Sequence, residues 1–205
     1  MKQRVRFVLG SASPARLATL RSAGFAPEVI VSGVDESVVS ADSAAALCQE
    51  LARLKCEAVA ARPETAGALV LGCDSVLEFE GGTYGKPADA AEAVARLGRM
   101  RGRSGVLHTG HHLIDNRDGR ATAVGEVAST IVRFAELTDA EIEAYVATGE
   151  PLQVAGSFTI DGLGAPFVAS VEGDPSTVVG VSMPLLRTLL AKLGLSVIDL
   201  WAPTA

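Results

Sequence analysis

The sequence predicts an α/β fold: a mixed, twisted sheet in two lobes around a central cleft. Three observations carry this reading. Apolar runs of β type alternate with helical patterns through the first half of the chain. Runs paired across glycine-containing turns, as in hairpins, dominate the second half. Acids and amines recur at the ends of the apolar runs, the place where open α/β sheets hold their ligands.

Composition sets the outer bounds. The chain has 205 residues, of which 48% are hydrophobic and only 4% aromatic, so its core is built mainly of Val, Leu, Ile and Ala. No window approaches the roughly 18 apolar residues of a membrane span. The basic N-terminus precedes an apolar run too short for a signal peptide, so a cytoplasmic protein without membrane attachment is expected. Cys48, Cys56 and Cys73 are widely spaced and read as small buried residues rather than a disulfide or zinc framework. A net charge of −6 argues against a broad surface for nucleic-acid polymers and leaves room for a small basic pocket.

The elements follow in order. Arg6-Phe-Val-Leu-Gly-Ser-Ala-Ser-Pro-Ala-Arg16 reads as a short buried strand, a tight turn and the start of a helix. Ser13 is the N-cap and Pro14 takes the first helical position. Residues 27–34 read as a second strand that runs into Asp35 and Glu36. Ser43 to Ala61 is an amphipathic helix, with Leu47, Leu51, Leu54, Ala58 and Ala61 near helical spacing and Lys55 within it. Residues 68–73 are a central strand ending in Asp74-Ser75. Val76-Leu-Glu-Phe continues it or starts a neighbour, and Gly81-Gly82 makes the following hairpin turn.

Tyr84-Gly-Lys86-Pro87 closes that arm, and residues 88–99 form a helix. Residues 104–115 and 124–135 are partner strands joined by a turn at 116–119. Leu137 opens a helix whose Thr138 and Glu141 form a capping box. Gly149-Glu-Pro151 stops it. Ala155 to Gly164 is a glycine-rich loop carrying Asp161. A strand at 166–171, a turn at 172–175 and a last helix at 183–193 complete the chain.

The chemistry-bearing residues point to a phosphate ligand. The turn at Ser11 and Ser13 joins free N–H groups to the positive end of a helix dipole, which suits an anion. Arg16, Lys55 and Lys86 would balance phosphate charge. Asp74 and Glu36 are hard oxygen donors suited to Mg²⁺ or Mn²⁺. Each has a plainer reading: a turn cap for Asp74, a solvated acid for Asp35 or Glu36, a surface lysine for Lys55, an exposed helix residue for Arg16. His108, His111 and His112 share one strand without zinc-protease spacing and read as structural or solvent-facing.

Several stretches then add up. They are Leu9-Gly-Ser-Ala-Ser-Pro-Ala-Arg16, Val34-Asp-Glu36, Leu54-Lys55, Gly72-Cys-Asp74-Ser75, Gly85-Lys86-Pro87, Tyr145-Val-Ala-Thr-Gly-Glu-Pro151, Ala155-Gly-Ser-Phe158 and Glu172-Gly-Asp-Pro-Ser-Thr-Val-Val-Gly180. Running in order over nearly the whole chain, they resemble the Maf family of nucleotide pyrophosphatases. The resemblance implies one Maf-like domain over residues 1–205, two lobes and a deep cleft. It implies hydrolysis of a nucleoside triphosphate between its α and β phosphates with a divalent metal, a house-cleaning role and a homodimer.

Carried over by position, the resemblance makes Asp74, Glu36 and Lys86 the catalytic set, with Glu36 and Asp74 on the metal. Ser11, Ser13, Arg16, Lys55, Ser75 and Asp161 then bind substrate. The sequence departs from the family pattern at Ala15, where an arginine is usual, and at Cys73-Asp74-Ser75, where Ala-Asp-Thr is usual. Its loop reads Ala155-Gly-Ser-Phe158 followed by Asp161, where the branch resembling dTTP and UTP enzymes has Ala-Gly-Ala-Tyr and a glutamine. A carboxylate only accepts hydrogen bonds, which favours guanine-type bases, 7-methyl-GTP among them. The competing expectation is a nucleotide-binding regulator of septum formation and cell division with little or no hydrolysis.

Overall fold

Val, Leu, Ile and Phe in runs that alternate between two faces make strands, and here they assemble one open mixed sheet. The computed structural model describes residues 5–117 and 119–202. Lys2 and Arg4 of the basic N-terminus, and Asp118 of the expected 116–119 turn, lie outside the described residues. Among those described, the strands are β1 (Phe7–Leu9), β2 (Glu28–Val29), β3 (Leu69–Phe79), β4 (Gly82–Tyr84), β5 (Ser104–Asp115), β6 (Thr122–Phe134) and β7 (Val168–Glu172). The helices are α1 (Pro14–Ser22), α2 (Ala44–Ala60), α3 (Ala90–Met100), α4 (Asp139–Ala147), α5 (Pro175–Val179) and α6 (Met183–Lys192). The sheet runs β2-β1-β3-β5-β6-β7, with β4 also on β3. The β1 pairings with β2 and β3 are parallel and the others antiparallel.

One feature of this topology makes the site. Along one edge of β3, β1 pairs only with Leu69–Leu71 and β4 only with Leu77–Phe79, while β5 pairs with Leu69–Glu78 along the far edge. Between the end of β1 and the end of β4, residues 72–76 therefore face an interruption in the sheet.

Side-chain alternation along β3 sorts the core. Leu69, Leu71 and Cys73 pack with Leu20 of α1 and with Leu186, Leu189 and Leu190 of α6. Further along the same face, Leu77 and Phe79 pack with α3 and α4 through Leu97, Met100, Ile142 and Tyr145. Ser75 is the polar step between these two clusters, which are the two lobes. On the opposite face Val70 packs with Cys56 and Val59, and Val76 with Ala44 and Cys48, all from α2. Asp74 lies between them.

α2 sits close to the sheet because glycines lie beneath it. A Cβ at Gly72 would collide with the Ala52 carbonyl oxygen, and one at Gly110 with that of Cys48. The buried stripe of α2 is Ala44, Cys48, Leu51, Ala52, Lys55, Cys56 and Val59. This corrects the expected stripe of Leu47, Leu51, Leu54, Ala58 and Ala61, of which only Leu51 is in the buried set. The close approach selects small residues for the interface, and the leucines flank it.

Other expectations shift as well. Asp74-Ser75 does not end the strand, and of the two readings of Val76–Phe79 the continuation holds: β3 runs to Phe79, because β5 pairs along its length. The hairpin turn is Glu80-Gly81, both at positive φ, with Phe79 opposite Gly82. This is one residue earlier than the glycine pair suggested. The second strand shrinks to two exposed residues, since only β1 borders it. Ala165–Phe167 is a 3₁₀ turn ahead of β7, and α5 follows the 172–175 turn although only a turn was expected. The capping box of α4 forms as expected, with Thr138 and Glu141 each bonding the other's backbone N–H. The three cysteines are buried and free.

Candidate active site

The break in the edge of β3 is filled from two sides. From the first comes the β1–α1 turn. Ser13 caps α1 by accepting from Arg16 N, and its own N–H donates to Ser11 Oγ at 3.2 Å. The hydroxyls thus shape the turn they belong to. Arg16, one turn into α1, is buried. Its Nε donates to Gly180 O at 2.8 Å, and its two terminal nitrogens donate to Ser11 Oγ and Ser75 Oγ at 3.0 Å each. Three of its five donors are engaged within the fold.

Ser75 belongs to a chain with a fixed direction. Thr109 Oγ1 donates to the Thr177 carbonyl at 2.8 Å, which uses the single hydroxyl proton of Thr109. The 2.9 Å contact between Ser75 Oγ and Thr109 Oγ1 therefore has Ser75 as donor. Ser75 receives from Arg16 and gives to Thr109, so it ties the N-terminal turn to the 172–180 segment. Thr109 carries no signal in the sequence, and the 172–180 stretch signals only a family resemblance and not these contacts, because the bonds span tens of residues.

From the second side comes α2. Lys55 lies on its buried stripe and its Nζ is 2.6 Å from Asp74 Oδ1 and 2.7 Å from Glu36 Oε1. Glu36 opens a 3₁₀ turn, Glu36–Val38, which Asp35 caps by accepting from Ser37 N at 3.0 Å. That divides the adjacent acids: Asp35 shapes the turn and Glu36 reaches the ammonium. Burial raises the Asp74 carboxyl above its ordinary range, against the opposing pull of the Lys55 and Arg16 charges, with Glu36 adding to the rise. A cleft of about 150 Å³ opens here, lined among others by Gly10, Ser11, Ala12, Ser32, Glu36 and Lys55.

The remaining expected residues stand apart from this cluster. Lys86 is exposed just beyond β4 and has no hydrogen-bond or ion-pair partner among the described residues. The hairpin register, Leu77 opposite Tyr84, leads it back toward the Asp74–Ser75 stretch of β3. Asp161 is exposed in the glycine-rich loop and likewise has no such partner there. That loop is clamped by Glu150, whose carboxylate accepts from Tyr145 Oη, Thr159 Oγ1, Leu163 N and Gly164 N. Phe158 of the same loop points into the core, its ring perpendicular to Phe134 with centroids 5.0 Å apart.

The histidines are structural or partly solvent-facing, as expected. His111 is fully buried; its Nδ1–H donates to Thr109 O at 3.0 Å and its Nε2 accepts from Ser182 N at 2.8 Å. Burial lowers its pKa from 6.5 to about 4. His108 contacts Ser129 and Glu78 on the sheet face. No group of three or more His, Cys, Asp or Glu side chains placed to hold a metal occurs among the described residues. The two carboxylates that converge are Glu36 and Asp74, through Lys55.

Fold and site together define an open mixed α/β protein whose carboxylate–lysine cluster sits in a break in the sheet edge, beside a helix N-terminus. The chain belongs to the Maf family: the family model described as "Maf-like protein" matches residues 6–193. A Salinispora tropica protein named nucleoside triphosphate pyrophosphatase is 61% identical over 201 residues, covering 97% of this chain and 88% of its own. A protein of the same name from Streptomyces coelicolor is 58% identical, covering 98% of this chain and 96% of its own. Another from Nostoc punctiforme is 49% identical, covering 95% and 97%.

Proposed function

We propose that this protein is a nucleoside triphosphate pyrophosphatase, splitting a (deoxy)nucleoside triphosphate and water into the monophosphate and pyrophosphate. The name shared by its Maf relatives supports the activity. The observation that carries the mechanism is the Asp74–Lys55–Glu36 cluster beside the Ser11 turn. The turn's N–H groups and the Ser11 and Ser13 hydroxyls receive phosphate oxygens at the positive end of α1. Lys55 and Lys86 balance charge that builds on the phosphates as the α–β anhydride opens. Asp74 accepts the proton of the attacking water, and its raised pKa makes it a stronger base than an ordinary carboxylate. The water oxygen bonds to the α-phosphorus, and the bridging oxygen leaves with pyrophosphate. Arg16 and Ser75 hold the turn against β3.

The donor set fits a divalent cation. Two hard carboxylate oxygens already share one positive partner in Lys55, and Mg²⁺ is commonly held by one or two carboxylates together with substrate phosphates. Glu36 and Asp74 would hold it, and when bound it supplies Lewis-acid stabilisation of the phosphate charge.

For the base, the loop chemistry favours guanine-type nucleotides, 7-methyl-GTP included, over dTTP and UTP, with Asp161 as an acceptor for base N–H groups. In a panel of nucleotides with Mg²⁺ or Mn²⁺, pyrophosphate is the expected product. Asp74→Asn is expected to lose about a hundredfold or more in rate while remaining folded. No pyrophosphate from either protein would favour the nucleotide-binding regulator of cell division instead, and equal rates would remove Asp74 from the chemistry. Turnover of dTTP and UTP well above GTP and 7-methyl-GTP would remove the guanine assignment.

A further inference from the structure

Lys86 lies in a short arch between β4 and α3, and both feet of that arch are fastened by one pair of side chains. On one side, Arg96 of α3 donates from Nη1 to the Gly85 carbonyl at 2.7 Å. On the other, Glu92 accepts the Ala88 N–H on Oε2 at 2.7 Å. Glu92 Oε1 meets Arg96 Nη2, so the two anchors are themselves joined, four residues apart on one helix face. Lys86 and Pro87 span the gap, and the ammonium is left exposed with no partner among the described residues.

Arg96 has a second function in the same place. Its Nη1 also donates to Ser157 Oγ at 3.1 Å, and Gly156 N donates to the same Gly85 carbonyl at 3.1 Å. Ser157 is fully buried and holds a positive φ of 63°, which is unfavourable for a residue with a side chain. The bond from Arg96 helps fix it there. Arg96 itself is 6% exposed, and its Nε is buried without a partner. A guanidinium buried at this cost, with one donor unpaired, is explained by the geometry its other donors enforce.

We propose that Arg96 and Glu92 are positioning residues. They hold the Lys86 arch at the phosphates, and Arg96 couples that lysine to the glycine-rich loop. This rests on the assignment of Lys86 to the phosphates. Neither residue touches the reacting atoms, so their effect passes through Lys86.

A double-mutant cycle tests this, with Arg96→Gln, Glu92→Ala, Lys86→Met and both pairwise combinations with Lys86→Met. The readouts are kcat/KM for pyrophosphate release and the calorimetric affinity for inorganic pyrophosphate. Arg96→Gln and Glu92→Ala are each expected to weaken both by about tenfold in the wild-type background, and by no more than about twofold once Lys86 is methionine. Additive losses would show that the pair acts elsewhere and overturn the proposal. So would an unchanged Lys86→Met, or single variants that match wild type. Glu92 is half-exposed, so its variant reports even if Arg96→Gln fails to fold. If wild type releases no pyrophosphate from any nucleotide, the pyrophosphatase reading fails, and the affinity cycle alone still decides whether Arg96 and Glu92 act through Lys86.

Discussion

Asp74 and Lys55 form a buried ion pair, and such pairs are weak evidence of stability. Desolvating two charges costs about as much as their attraction returns. Here the balance is visible in Asp74, whose carboxyl is raised in spite of the ammonium 2.6 Å away. A pair that contributes little to stability, yet sits at a cleft with Glu36, is better explained by its chemistry. His111 is the opposite case. Both ring nitrogens are used inside the fold, and its pKa falls from 6.5 to about 4 because burial disfavours the cation. The unfolded chain therefore binds a proton between those values that the folded chain does not. Its contribution to stability is fully present above pH 6.5 and is lost as pH falls toward 4. Denaturant unfolding at about pH 7.5 and about pH 4.5 should show wild type losing on the order of 2 kcal/mol more than His111→Gln. Equal losses would mean that His111 does not carry this dependence.

At the scale of elements, the approach of α2 to β3 decides where Lys55 goes. Gly72 and Gly110 let the helix backbone reach the sheet, and the small residues Ala52, Cys48 and Cys56 keep it there. Lys55 then projects from the buried stripe straight at Asp74. Gly72→Ala would force a methyl against the Ala52 carbonyl, and a backbone atom has no rotamer by which to move aside. The expected outcome is a loss of at least about 3 kcal/mol in thermal unfolding. Displacing α2 should also separate Lys55 from Asp74 and lower pyrophosphate release beyond what instability explains. A variant with wild-type melting temperature and activity would show that the helix relaxes at no cost.

At the scale of the whole molecule, two apolar clusters share one face of the sheet and meet at a polar belt. The belt is Arg16, Ser75, Thr109 and the Thr177 and Gly180 carbonyls. Its members are joined to one another by hydrogen bonds, which tie the two clusters together at that level. Thr109→Val keeps the shape of the side chain and leaves both the Ser75 hydroxyl and the buried Thr177 carbonyl without their partner. That should cost about 1–3 kcal/mol in denaturant unfolding. It should also loosen the Arg16 contact that steadies the Ser11 turn, and so raise KM for nucleotide. A neutral Thr109→Val would mean that packing, and not the belt, holds the lobes together.

The local rules read well from the chain alone. The Ser13–Pro14 start of α1, the Thr138–Glu141 box of α4 and the long strands of the second half all depend on residues within a few positions of one another. The identities of Asp74, Glu36, Lys55 and Lys86 as charged residues beside apolar runs were legible too. Their arrangement was not. Asp74 was expected at a strand end and lies in mid-strand; what ends beside it is β1, some sixty residues earlier in the chain. Helical spacing could not show that Lys55 sits on the buried stripe, because the stripe is set by glycines on β3 and β5. Arg96 and Thr109 gave no signal, since Ser157 and Thr177 lie more than sixty residues further along the chain and the Gly85 and Thr177 acceptors are backbone carbonyls that any residue supplies. Short-range sterics and hydrogen bonding were written in the sequence. The cleft was decided only by long-range strand pairing, which sets where β1 stops and β4 begins along β3.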